Sequence, residues 1–397
     1  MTPSLASYTA SQGGAYGPTL VRAVPHRKQT VRPGRTPMRR SHRFRVALAA
    51  TAALAVLSTA PVASADGSRS GTQGAKPLTY AIIGDTPYGQ PQIDNFPNDV
   101  AEINADPNVR LAVHLGDIKN GSSRCDTTYF EQIRADFDQF QDPLVYTPGD
   151  NEWTDCHRAN NGAYTPTERL DTLREIFFDH PGRSLGLHPR RLDAQRRPYV
   201  ENVAWSQRAV QFATLHVVGS NNDWLPWLDA TTPGQAQVEE YTRRNAADLS
   251  WLARVFEVAR AHHAKAVVLA IQADLWDPAF SGPNDNPAQY DHFTDLMQAL
   301  AGHVRAFGGP VLVLNGDSHE FTDDHPLADP ARPWQKAMYG LTRDVPNLRR
   351  ITVNGSTTPC HEWLRLSIDP RAPGIFSAER VRFHNQPGFD PAVCPPS

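Results

Sequence analysis

The sequence predicts a four-layer α/β/β/α fold, with two mixed β-sheets face to face and helices on both outer sides. Three observations predict it. Apolar runs of strand length alternate with helical patterns through most of the chain, as βαβ units require. Two late strand patterns, Trp363–Ile368 and Ala378–Phe383, follow with no helix between them and supply a second mixed sheet. Four Gly-Asp dipeptides each close a strand-length run, where open α/β sheets place their ligand crevice.

The strand patterns are Leu78–Ile83, Val109–Leu115, Pro143–Tyr146, Tyr199–Trp205, Phe212–Val218, Ala266–Ile271, Val311–Leu314 and Leu348–Val353. Helical periodicity is read over Tyr129–Phe140, Pro166–Phe178, Gln235–His263 and Tyr290–Phe307. No repeat of solenoid type is present. The stretch after Asp369 is Pro-rich and reads as a tail. The domain is therefore expected over 77–397.

Ahead of it, 1–65 reads as an extension plus a secretory signal peptide. Met38 to Arg45 is a basic n-region, Val46 to Leu57 a short apolar h-region, and Ala63-Ser64-Ala65 an A-x-A cleavage site. Met38 is the expected initiator, and Arg39-Arg40 leaves twin-arginine export open beside the general secretory route. Residues 66–76, rich in Gly, Ser and Gln, form a linker. The expected localisation is secreted or cell-envelope, with no membrane span after cleavage near Ala65.

The net charge of −3 hides an asymmetry. Residues 1–65 hold nine of the 39 Lys and Arg and none of the 42 Asp and Glu, which leaves the remainder at −12. So acidic a body argues against nucleic acid as the main partner. Cys125, Cys156, Cys360 and Cys394 form an even set outside the cytoplasm, with three connectivities. Cys125–Cys156 and Cys360–Cys394 are favoured, because each pair lies in neighbouring segments. No CxxC pair points to zinc thiolate.

The Gly-Asp pairs are Gly84-Asp85, Gly116-Asp117, Gly149-Asp150 and Gly316-Asp317, with His319 two residues after the last. Taken singly, each Asp reads as a helix or turn cap. Converging on one rim, the four repel unless cations neutralise them.

The arrangement resembles the calcineurin-like metallophosphoesterases from about Tyr80 to His319. That family carries D-x-H, G-D, G-N-H-D/E, a lone His after a strand, and G-H-x-H. Here the matching positions are Gly84-Asp85-Thr86-Pro87, Gly116-Asp117, Gly149-Asp150-Asn151-Glu152, Gln272, and Gly316-Asp317-Ser318-His319. Pro87, Asn151, Gln272 and Asp317 stand where the family has histidine, and His319 alone keeps it. The resemblance implies a two-metal site with Asp85, Asp117, His319 and Asn120 on one cation. Asn120 falls where purple acid phosphatases have a ligand tyrosine. Asp117 would bridge to a second cation held by Asp150, Gln272 and Asp317. Such oxygen-rich shells suit Mn²⁺, Mg²⁺ or Ca²⁺, one or two ions.

The resemblance further implies an exported metal-dependent phosphoesterase acting on a small phosphate mono- or diester through a metal-activated water. Asn151 would hydrogen-bond a phosphoryl oxygen, and Glu152 or His157 would serve as general acid. Lys119 would hold phosphate or stand in for a cation, or else face solvent as a loop lysine. Asn221 and Asn222 are candidate substrate contacts. The alternative is a relative that binds metal or phosphate without turnover, which the lost histidines favour. A serine or cysteine hydrolase finds no support, since no G-x-S-x-G occurs.

Overall fold

Strand β1 (Leu78–Ile83) is apolar over most of its length and buried at every position, the mark of a central strand covered on both faces. The computed structural model describes residues 76–228, 230–277, 289–358 and 360–384. The expected signal peptide, the linker up to residue 75, and Cys394 lie outside them.

Helix α1 (Gln90–Asn104) follows β1 and was not expected, because Pro91 and Pro97 interrupt its pattern. Pro91 sits in the first turn, where no backbone N–H is needed. Phe96, Val100 and Ile103 recur at helical spacing and bury one face. Next come β2 (Val109–His114), α2 (Thr127–Phe137), β3 (Leu144–Tyr146) and α3 (Pro166–Phe177). The short edge strand β4 (Asp193–Ala194) precedes β5 (Val203–Gln207) and β6 (Val210–Thr214). β5 starts later than the sequence pattern, because Tyr199 and Asn202 close a turn. β6 ends earlier, and residues 215–218 leave the sheet for the turn α4 (Gly219–Asp223). The long α5 (Gln235–Ala261), β7 (Ala266–Ala270), α6 (Thr294–Phe307) and β8 (Val311–Asn315) continue the alternation. Edge strand β9 (Thr322–Asp324), the single turn α7 (Trp334–Ala337), β10 (Leu348–Thr352), β11 (Glu362–Ile368) and β12 (Phe376–Arg382) complete the order.

The strands form two mixed sheets, so the α/β class holds. One has the order β12-β11-β1-β2-β3, the other β4-β5-β6-β7-β8-β10-β9. β1, β2 and β3 are parallel, and so are β6, β7, β8 and β10. Antiparallel β11 and β12 flank the first set, and β5 and β9 flank the second. One apolar core joins α1, α2 and α3 to the first sheet through Phe96, Phe130, Phe137 and Leu173. Another joins α5 and α6 to the second sheet through Leu252, Phe256, Met297 and Leu300. A third contains residues of both sheets, among them Tyr80, Ile82, Val113, Phe212, Val268 and Leu314.

Cys125 and Cys156 are disulfide-bonded to each other. Cys360 is also disulfide-bonded. No helix among the described residues is long and apolar enough to cross a membrane.

Candidate metal centre

The carboxyl ends of β1, β2, β3 and β8 deliver the four Gly-Asp pairs to one place. Ligand atoms of Asp85, Asp117 and His319 lie within 4.8 Å of one another, as do those of Asp117, Asp150 and Asp317. Asp117 belongs to both groups. Glycines make this crowding feasible. A Cβ built on Gly149 would lie 2.0 Å from Asp117 Oδ1, and one on Gly316 would lie 2.2 Å from Asp85 Oδ2. Each of these glycines therefore clears space for the aspartate of a different pair. Asp85, Asp117, Asp317 and His319 all hold φ between +52° and +75°. Such conformations cost non-glycine residues about 1 kcal/mol or more each and collect at functional sites.

Hydrogen bonds fix the carboxylates. Asp85 Oδ1 accepts from the Asp317 backbone N–H at 2.9 Å and lies 3.4 Å from His319 Nε2. Asp85 Oδ2 is buried with no hydrogen-bond partner. Asp117 Oδ1 accepts from the Asn151 N–H, and Oδ2 accepts from Asn151 Nδ2 at 2.7 Å and from Tyr88 Oη at 3.2 Å. Asp150 accepts from Ser220 Oγ at 2.8 Å and Gln272 Nε2 at 3.1 Å. Asp317 Oδ2 accepts from the Asp274 N–H at 3.0 Å.

The electrostatics follow from burial and crowding. Desolvation, then Asp150, Glu152, Asp85 and Asp317, push the Asp117 carboxyl well above its ordinary range. Desolvation also raises Asp150, and desolvation with Asp150 and Asp85 raises Asp317. Two unit charges 4.8 Å apart repel by roughly 3–4 kcal/mol at an effective dielectric of about 20. Burial is the largest influence on His319 and lowers its basicity, but Asp85, Asp150 and Asp277 together raise it overall.

Several side chains take roles other than those expected. Lys119 does not face solvent. It is 1 % exposed and donates to the carbonyls of Asn151 at 2.7 Å and Asn120 at 2.9 Å. It clamps two loops, and burial lowers its ammonium to about 8. Asn120 spends its side-chain oxygen on the Ser122 N–H and hydroxyl. Gln272 reaches the cluster as a donor, since its oxygen accepts from the Gly219 N–H at 2.6 Å and its amide points at Asp150. Glu152 is fully buried behind Asp117. Its Oε1 accepts from the N–H groups of Asp117 and Gly149 and from Tyr146 Oη, which makes it a positioning residue rather than an acid facing substrate. His157 accepts the Leu228 N–H at 2.8 Å on its loop, and burial lowers its pKa, so it is not poised as a proton donor.

Asn221 and Asn222 lie in α4, where Ser220 to Asp223 all hold positive φ, a left-handed turn. Both are buried. Asn221 bonds to Asp291 and His292, and Asn222 accepts from Arg244. These contacts brace the turn. Its useful product is Ser220, whose hydroxyl lies against both Asp150 and Asp155.

Tyr88 was missed by the sequence reading. Its hydroxyl touches Asp117, lies 3.4 Å from His319 Nε2 and accepts from Asn151 Nδ2. Desolvation and the surrounding carboxylates raise its pKa well above 10. The only sequence signal was its place three residues after Asp85.

No family model matches the chain, and no curated protein matches it. Among solved structures it is similar to "GAP50 the anchor in the inner membrane complex of Plasmodium", at 10 % identity and a TM-score of 0.39, covering 80 % of this chain and 92 % of that one. A likeness of that size is too slight to carry fold or function.

Proposed function

We propose that this protein is an exported metal-dependent phosphoesterase, a divergent relative of the calcineurin-like metallophosphoesterases. The observation that carries the proposal is the pair of ligand groups sharing Asp117 at the carboxyl ends of parallel strands from both sheets. The three successive cores support a four-layer arrangement of helices, sheet, sheet and helices. The disulfide and the absence of a spanning helix among the described residues are compatible with export.

The residues fit divalent cations. Asp85 Oδ2 is buried with no hydrogen-bond partner, and the donors are hard oxygens with one imidazole. That set favours Mn²⁺, Mg²⁺ or Ca²⁺. Asp85, Asp117 and His319 would hold one ion, and Asp117, Asp150 and Asp317 a second. Bound cations there would polarise phosphoryl oxygens and lower the pKa of water.

The chain's own groups then orient and hold protons. Asn151 Nδ2 fixes Asp117 Oδ2, and Glu152 fixes the Asp117 and Gly149 backbones. Tyr88 Oη positions Asp117 by hydrogen bonding to its Oδ2. With no strong general acid touching Asp117 among the described residues, turnover should favour leaving groups that need little protonation. The expected substrates are aryl esters and phosphoanhydrides ahead of alkyl esters.

The same lack of an acid favours the second reading, a protein that binds metal or phosphate without turnover. A phosphoester series with added Mn²⁺ separates the two. Release of phosphate from aryl phosphates, lost in Asp117→Asn, supports the enzyme. Metal binding with no turnover across aryl mono-, diester and anhydride substrates supports the binding protein.

A further inference from the structure

Gly219, beyond the carboxyl end of β6, packs against Asp150 of the carboxylate cluster, whereas Arg190 lies near the amino end of β6, where Arg190 Nη1 donates to Gln207 Oε1 at 2.6 Å and Gln207 pairs with Val210. The segment 183–197 carries Arg183, Arg190, Arg191, Arg196 and Arg197 against a single acidic residue, Asp193. Arg190, Arg191, Arg196 and Arg197 line one cavity of about 680 Å³ beside Trp205 and β4. Arg183, Arg190 and Arg191 line an adjoining hollow of about 570 Å³.

Two features set this cavity apart from an ordinary solvated face. First, arginines elsewhere meet carboxylates, as Arg174 meets Glu201, Arg350 meets Asp274 and Asp324, and Arg365 meets Asp106 and Glu379. The five arginines of this segment enter none of the ion pairs among the described residues, and the acceptor of Arg190 is neutral. Guanidinium groups gathered in one hollow repel unless an anion joins them.

Second, the backbone presenting them is pinned. Arg190 bonds Ser184 through both its N–H and its carbonyl, and the Leu192 N–H donates to Gly182. Asp193 and Ala194 pair with β5, the Gln195 N–H donates to Asn202, and Gln195 Nε2 reaches the Ala247 carbonyl at 2.8 Å. The held backbone keeps these arginines on one hollow while Arg183, Arg191, Arg196 and Arg197 stay exposed, and guanidinium forks match phosphate oxygens in bidentate geometry.

We propose that this cavity is a binding site for a compact soluble anion bearing two or more phosphate groups, separate from the carboxylate cluster. Its concavity favours such a ligand over a flat anionic membrane, which would need a level or convex basic face. The inference stands whether or not the carboxylate cluster is catalytic.

The test is calorimetric titration of metal-free full-length protein with inorganic tripolyphosphate at low and high salt. Wild type should bind, and affinity should fall as salt rises. Arg191→Ala, and the double variant Arg196→Ala with Arg197→Ala, should each weaken binding by about tenfold or more, on the order of one charged hydrogen bond per guanidinium. The Arg196→Lys and Arg197→Lys pair should fall between, since it keeps charge and loses the fork. Unchanged melting curves and unchanged Mn²⁺ affinity would show that the variants are folded. Wild type that ignores tripolyphosphate, variants that bind it equally well, or binding confined to phosphatidylglycerol vesicles would each overturn the proposal.

Discussion

Glu152 and Glu201 are the same residue type, both fully buried, and their environments drive them in opposite directions. At Glu152 desolvation dominates. Gly149, Tyr146 and Lys119 favour the charge, Asp150 opposes it, and the carboxyl is pushed up to about 7. At Glu201 desolvation also opposes the charge, but the Arg174 guanidinium and the His216 imidazole outweigh it and hold the carboxyl at about 2. Arg174 donates to both Glu201 oxygens, and His216 Nδ1 lies 2.9 Å from Oε1. Burial alone therefore does not decide the state of a carboxylate here. Glu201 is compensated by guanidinium, whereas among the described residues Asp85, Asp117, Asp150 and Asp317 enter no ion pair with an arginine, and Arg158, which favours the Asp150 charge, pairs with Asp155. The four-aspartate rim is a deficit of positive charge, and the proposed cations would fill it.

The contrast breaks first at Arg174. Arg174→Leu strands Glu201 and should cost about 3–5 kcal/mol, read by urea denaturation at neutral pH. Glu152→Gln should cost far less, about 1–2 kcal/mol, because all three donors to Glu152 reach the single oxygen Oε1. Equal losses in the two variants would remove the distinction.

Acidity gives the next largest effect. Glu152 and Asp155 both rise to about 7 in the folded, metal-free protein. A raised acid binds more protons folded than unfolded, so its contribution is complete below about 4 and is lost as pH climbs through about 7. Metal-free protein should therefore lose stability between about pH 4 and 8, by on the order of 3–4 kcal/mol for each of the two groups. Glu201 has the opposite sign, and its contribution disappears as pH falls from about 4.5 toward 2. Melting curves across that range check both limbs. A flat profile above pH 5 would contradict the uncompensated rim.

A smaller, purely steric effect comes from Gly149→Ala. Its new methyl meets Asp117 Oδ1 at 2.0 Å, which should cost about 1–3 kcal/mol and weaken metal binding with it. An alanine variant with wild-type stability and metal affinity would show that the aspartates are not held as closely as described.

What the sequence discloses and what it hides divide along physical lines. β1, β2, β7 and β8 are central strands, so their apolar runs are continuous and visible. The Gly-Asp steps after β1, β2 and β8 are visible for the same reason. Helix α1 is hidden by Pro97, because an interior proline argues against a helix while tertiary burial of Phe96, Val100 and Ile103 overrides it. Side-chain direction is hidden too. Nothing in the spacing tells that Lys119 turns inward to carbonyls, that Asn120 folds onto Ser122, or that Gln272 offers its amide to Asp150. Tyr88 arrives at Asp117 by the path of the chain after Asp85, which no local pattern encodes.

The most direct test of a cation-filled rim is a melting curve of the wild type and of Asp117→Asn, each with Mn²⁺ or Mg²⁺ and each with chelator. Asp117 is common to both ligand groups, so the account predicts a clear rise in the wild-type melting temperature with metal. A site bound at a hundred times its Kd gains about 2.7 kcal/mol, and Asp117→Asn should show no such rise. A wild-type melt that is the same with metal and with chelator, in protein that emerges metal-free from dialysis against both ions, would contradict it.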